Sequence, residues 1–260
     1  MKKLLFICIM LLFNCKEAPK EEKEAIPSEE SVARQEKTAP TIFPVEHATA
    51  VLQWDDYTLY IDPVGDAASF AAFPSPDLIL ITDIHGDHLS VETLEGLDTD
   101  KAKIIVPQAV ADKLPQQFTP QIDVLNNGDT KERFGFLIEA IPMYNLREEA
   151  RGFHEKGRGN GYVINRNGMR IYFSGDTEDI PEMRTLKNID KAFVCMNLPY
   201  TMTVEKAAEA VLQFNPREVY PYHFRGRPDV SDVGKFKELV TSENPDIRVV
   251  QLDWYPNAPY

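Results

Sequence analysis

Polar and apolar positions change register repeatedly along this chain, and each change marks an element. Residues 42–53 and 57–62 are β-rich and flank Asp55-Asp56, which predicts strands joined by a hairpin turn. Leu78-Ile79-Leu80-Ile81 is wholly apolar and bounded by Pro76 and by polar residues, the pattern of a strand buried on both faces. Ser90 is placed to cap a short helix running to about Leu97. Residues 104–106, 122–125, 136–141, 161–164 and 169–173 read as strands, with Asn165-Arg166-Asn167-Gly168 a hairpin turn between the last two. Residues 192–196 form another buried run. Thr203 opens an amphipathic helix, because Val204, Ala207, Ala208, Val211 and Leu212 fall on one face. A strand at 218–222, a helix at 231–241 and a closing strand at 247–252 complete the pattern.

Hairpins come first, and strands then alternate with helices. That order predicts sheets covered by helices, in the α/β or α+β class, without fixing the topology. The one long stretch without a pattern is 145–160. The N-terminus is different in kind. Lys2 and Lys3 precede an apolar run from Leu4 to Phe13, so residues 1–14 have the layout of a secretory signal and are short for a membrane span. Leu12-Phe13-Asn14-Cys15 resembles a bacterial lipoprotein processing box, which implies lipidation of Cys15 after cleavage. Residues 16–40 hold almost no large apolar side chain and cannot offset their ordering entropy. As a coil, about 25 residues span roughly 25–30 Å. The expected organisation is therefore a signal at 1–14, a lipidated cysteine and disordered tether at 15–40, and a folded domain at 41–260. The expected place is the bacterial cell envelope, extracytoplasmic and held to the lipid bilayer through acylated Cys15.

Composition narrows the functional classes. The 28 Lys and Arg stand against 41 Asp and Glu, a net charge of −13 that disfavours nucleic acid as the main partner. Three cysteines do not make a disulfide framework. Only five histidines occur in 260 residues, and two of them lie in Thr82-Asp83-Ile84-His85-Gly86-Asp87-His88-Leu89, directly after the buried strand. Asp83, His85, Asp87 and His88 offer four potential metal ligands within six residues, and Gly86 allows the tight turn that would let them converge. Imidazole nitrogen with carboxylate oxygen suits zinc, manganese or iron(II).

This segment resembles the H-x-H-x-D-H signature of the metallo-β-lactamase superfamily. Further stretches match in order: Ser174-Gly175-Asp176-Thr177 after a strand, and Tyr222-His223 at a later strand end. Phe153-His154-Glu155-Lys156-Gly157 followed by Gly161-Tyr162-Val163-Ile164 is similar to the L-ascorbate-6-phosphate-lactonase-like branch, as are Glu46-His47-Ala48 and Ile61-Asp62-Pro63. The resemblance implies a four-layer αββα sandwich and a hydrolase using two divalent metal ions, zinc or manganese/iron. It also implies a small-molecule substrate. It assigns Asp83, His85 and His154 to one metal, and Asp87, His88 and His223 to the other, with Asp176 between them.

One position departs from the signature: its first histidine is Asp83 here. Either Asp83 ligates through oxygen and favours harder metals, or the first site is weak or empty. The chemistry implied is attack of a metal-held hydroxide on an ester-type bond, phosphodiester or lactone, with Asp87 orienting the hydroxide and accepting its proton. His47 is a candidate substrate contact or a core histidine. Lys156, Arg158 and Arg225 form either an anion site or a surface charge cluster, and Lys156 and Arg225 are taken as substrate-binding. Asp62 either orients a ligating histidine or stabilises an Asp-Pro turn. Cys195 reads as core. The rival reading is a non-catalytic metal-binding or sensing lipoprotein with a degenerate site.

Overall fold

The computed structural model describes residues 38–256. The expected signal at 1–14, Cys15 and residues 16–37 of the expected tether lie outside the described residues. Among the described residues, thirteen strands form two sheets. The first holds β1 (Thr41–Glu46), β2 (Thr49–Trp54), β3 (Tyr57–Ile61), β4 (Leu78–Leu80), β5 (Lys103–Val106) and β6 (Ile122–Val124), side by side in chain order. The second holds β7 (Thr130–Arg133), β8 (Phe136–Met143), β9 (Gly159–Arg166), β10 (Met169–Phe173), β11 (Lys191–Cys195), β12 (Glu218–Tyr222) and β13 (Arg248–Val249), also in chain order. In each sheet an antiparallel meander passes into a parallel half, at β3 in the first and at β10 in the second. Among the described residues, five α-helices accompany them: α1 (Val91–Gly96), α2 (Gln108–Ala111), α3 (Pro181–Arg184), α4 (Val204–Phe214) and α5 (Val233–Glu243). Among the described residues no helix is long and apolar enough to cross a membrane.

The layers follow from side-chain alternation along strands. Ala50, Leu52, Leu59, Ile61, Leu78, Leu80 and Ile105 share one core with Phe136, Ile138, Tyr162 and Phe173 of the second sheet. The intervening residues Val51, Tyr60, Ile79 and Ile104 point the other way, onto Leu94 of α1 and Val110 of α2. Beyond the second sheet, α4 presents Ala207, Val211 and Phe214 to the same large core, and Phe236 and Val240 of α5 join it. Ser90 and Thr203 cap α1 and α4, accepting from Thr93 N–H and Lys206 N–H, as their positions predicted.

Several boundaries differ from the sequence expectation. The single strand read at 42–53 is two strands, broken at His47, whose φ of +56° lies in the left-handed region. Tertiary bonds enforce the break: His47 N–H donates to the Trp254 carbonyl, and the His47 carbonyl accepts from His223 N–H. The closing strand read at 247–252 shortens to Arg248–Val249, and the chain beyond turns inward so that Trp254 and Tyr255 are buried. The edge strand β7 was not read, because its polar Thr-Lys-Glu-Arg sequence carries no apolar alternation.

This topology sends the chemistry-bearing loops to one edge. Asp62 follows β3, Thr82 to His88 follow β4, Asp176 follows β10 and His223 follows β12. All four strands belong to the parallel halves, so these loops issue from carboxyl ends, where open α/β sheets place ligand sites.

Candidate metal centre

Side chains up to 136 residues apart in the chain (Asp87 and His223) meet in two groups that share a border. Asp87, His88, Asp176 and His223 form one; Asp83, His85 and His154 form the other. In the first, His88 Nε2 lies 3.1 Å from His223 Nε2 and 3.4 Å from Asp176 Oδ2. His223 Nε2 lies 3.3 Å from both Asp176 Oδ1 and Asp87 Oδ2. In the second, His85 Nδ1 is 2.7 Å from Asp83 Oδ2. Asp176 Oδ2 also lies 3.2 Å from His154 Nε2, so it stands between the groups. His88, Asp83, His154, Asp176 and His223 are buried, while Asp87 keeps 43% of its side-chain surface.

The orientation of His88 is fixed from behind. Asp62, wholly buried, accepts at Oδ2 from His88 Nδ1–H (2.8 Å) and from the Thr82 hydroxyl (2.7 Å), and at Oδ1 from Thr82 N–H (2.7 Å). With the proton held on Nδ1, His88 turns a bare Nε2 lone pair toward His223 and Asp176. Asp62 thus orients a ligand-type histidine, the first of its two sequence readings. Asp62, His47 and His223 all adopt positive φ (43°, 56° and 46°), so strained backbone gathers around this site. Gly175 holds Asp176 in place: its φ is +61°, and a Cβ there would stand 2.5 Å from Met143 Sδ.

The electrostatics call for added positive charge. Burial works to raise the Asp176 carboxyl, but His223 and His88 beside it outweigh this and hold it well below the usual range. Burial likewise opposes ionisation of Asp87, and hydrogen bonds from His223 and His47 hold that carboxyl low as well. Burial disfavours a charged His88, yet Asp176 and Asp62 raise its pKa well above the usual value, so a cation binding Nε2 would take the place of a second proton there. Asp176 Oδ1 accepts no hydrogen bond from the described residues. Converging lone pairs on imidazole and carboxylate, with excess negative charge in a buried pocket, fit divalent cations. Asp83, His85 and His154 would hold one, and Asp87, His88 and His223 the other, with Asp176 between.

A pocket of about 380 Å³ opens over both groups and is lined by His47, Asp87, His154, Phe153, Tyr200 and Arg225 among others. His47 lies over the His223 ring at 3.8 Å between centroids, 3.4 Å from Asp87 Oδ2 and 2.8 Å from the Tyr255 hydroxyl at Nδ1. Burial and the neighbouring His223 lower its pKa to about 4. Arg225 reaches the pocket with its guanidinium 4.1 Å from the Tyr255 ring centroid, and its backbone N–H donates to the Tyr255 hydroxyl. Lys156 does not line this pocket: its Nζ is 2.7 Å from Glu182 Oε1 and lies over the Tyr144 ring, and it lines another cavity, of about 460 Å³, that also reaches His154. Arg158 does not form an anion site with it either, since it grips Asp83. Cys195 is buried in the core, and burial pushes its thiol up to about 12. Thr82 and Tyr255 went unnoticed in the sequence: Thr82 reads as a strand end, and Tyr255 lies more than 160 residues from the motif it supports.

The fold and site together define a protein of the metallo-β-lactamase class. The family described as "Beta-lactamase superfamily domain" matches residues 41–223, and the chain belongs to that family. It is 34% identical over 194 residues to a UPF0173 metal-dependent hydrolase of Thermococcus onnurineus, covering 70% of this chain and 84% of that one. A solved structure of a metal-dependent hydrolase from Parabacteroides distasonis is 38% identical, with a TM-score of 0.73 over 82% of this chain and 92% of its own. Igni18, a metallo hydrolase from Ignicoccus hospitalis, shares the fold at 23% identity and a TM-score of 0.70, over 83% of this chain and 95% of its own. The chain is accordingly a metal-dependent hydrolase with the metallo-β-lactamase fold.

Proposed function

We propose that this hydrolase cleaves an ester-type bond, phosphodiester or lactone, in a small anionic substrate, using two divalent ions held by the seven clustered residues. We further propose that lipid on Cys15 holds it at the bacterial cell envelope, facing away from the cytoplasm. The observation that carries the catalytic reading is the Asp62-oriented His88, whose Nε2 faces His223 Nε2 at 3.1 Å beneath an open pocket.

Divalent ions bound there supply Lewis acidity, which makes a water more acidic and polarises the substrate oxygen. The chain's own groups supply the rest. Asp87 is well exposed to the pocket and held ionised, so it is placed to accept a proton from the attacking water. His47 satisfies both its neighbours in one tautomer: Tyr255 O–H donates to Nδ1, and Nε2–H donates to Asp87. That bond aims the Asp87 carboxylate. Arg225 supplies positive charge at the pocket mouth in an otherwise acidic protein, which favours an anionic group on the substrate. Phe153 and Tyr200, edge to face at 5.1 Å between centroids, give an apolar wall for the remainder of the substrate.

The test is an assay of purified protein on model phosphodiesters, phosphomonoesters and lactones with added zinc or manganese. Metal-dependent turnover of a phosphodiester or lactone, lost in His223→Ala, is expected. Absence of metal-dependent turnover on every ester class would contradict the reading.

A further inference from the structure

Asp83 is the position where this chain leaves the histidine-rich signature, and its carboxylate is wholly buried. A buried carboxylate needs a charge partner. Arg158 provides it in a forked contact: Nε lies 3.2 Å from Oδ1 and one Nη lies 3.1 Å from Oδ2. The same Nη donates to the Phe153 carbonyl and lies 3.5 Å from His85 Nε2. On its other side Asp83 Oδ2 faces His85 Nδ1 at 2.7 Å, within the group that also contains His154. The guanidinium therefore engages both carboxylate oxygens, and Oδ2 is shared between Arg158 and His85 of the ligand cluster. One short segment, residues 153–158, delivers both His154 to the cluster and Arg158 to Asp83.

We propose that Asp83 and Arg158 act as one unit, equal in net charge to the neutral imidazole that the signature carries, so that the site presents the same net charge to a dication as one with histidine at position 83. Arg158 is thus a positioning and charge-balancing residue and not a substrate-anion contact. Arginine suits the task because its planar fork matches a carboxylate and stays charged when buried. The inference rests on the metal-centre reading.

The test compares zinc affinity, by competition with a chromogenic chelator, in the wild type, Asp83→His, Arg158→Met and the double variant. Asp83→His alone leaves a guanidinium unpaired beside the dication, and its zinc affinity is expected to fall roughly 10- to 100-fold. Adding Arg158→Met to Asp83→His is expected to recover affinity close to wild type, which a merely structural Arg158 would not do. A double variant that binds no tighter than Asp83→His overturns the pairing while leaving the metal centre intact. A wild type that binds no zinc overturns the metal-centre reading itself. Thermal melts without metal report folding; if Asp83→His does not fold, Asp83→Asn and Asp83→Asn with Arg158→Met carry the same comparison.

Discussion

At the residue scale the account turns on which nitrogen of each histidine is free. His88 is committed by Asp62 and Thr82, so Asp62→Asn should loosen its tautomer and lower zinc affinity roughly 10- to 100-fold. An unchanged titration curve in a folded Asp62→Asn variant would count against that role. Of the three basic residues first grouped together, Arg225 and Lys156 should separate cleanly. Arg225→Ala should raise KM for an anionic ester by about tenfold, equivalent to ~1.4 kcal/mol. Lys156→Ala should leave kcat and KM near wild type, because its ammonium is committed to Glu182 outside the pocket. Steady-state kinetics of the two variants decide this. The sequence made the candidate ligand cluster legible because four of its members crowd into 83–88 and Asp176 and His223 follow strand ends, whereas His154, in the patternless 145–160 segment, stood only on the family resemblance. It offered Asp62 behind them only as one of two readings, and gave no sign of the partners of Arg158 and Tyr255. Asp62 is 26 residues from His88, Arg158 is 75 from Asp83 and Tyr255 is 208 from His47, so each pairing exists only once the sheets have closed.

At the element scale, the site depends on where strands stop. Periodicity located β10 and β12 to the residue, since both are apolar runs cut off by a polar or glycine residue. It read through the break at His47 because the local sequence is compatible with a continuous strand, and only bonds to Trp254 and His223 force the turn. The conformation of Gly175 matters more than its element does. Gly175→Ala should destabilise by about 1–3 kcal/mol, through positive φ and crowding of Met143, and should weaken zinc binding by displacing Asp176. Thr203→Ala, which removes the cap of the distant helix α4, should cost about 1 kcal/mol and leave zinc affinity unchanged. Denaturant melts paired with zinc titrations separate the two outcomes.

At the scale of the whole molecule, two sheets that are each half antiparallel and half parallel bring parallel-strand carboxyl ends of both to a common edge. A large shared core and a second layer under α1 and α2 hold that edge rigid, and the acidic residues lining it concentrate negative charge in a buried place. The four-layer order was legible from strand and helix alternation together with the family resemblance, whereas the strand order within the sheets was not, because periodicity carries no pairing information. The proposed lipid anchoring belongs to this scale too. Cys15→Ser should move the protein from the membrane fraction to the soluble extracytoplasmic fraction, and fractionation of expressing cells checks it. The most direct test of the central claim is elemental analysis of protein purified without chelators. The account predicts divalent metal in stoichiometric amount, rising to two equivalents per chain for the two ligand groups and lost in His88→Ala. A well-folded chain that carries and takes up no divalent metal would contradict it.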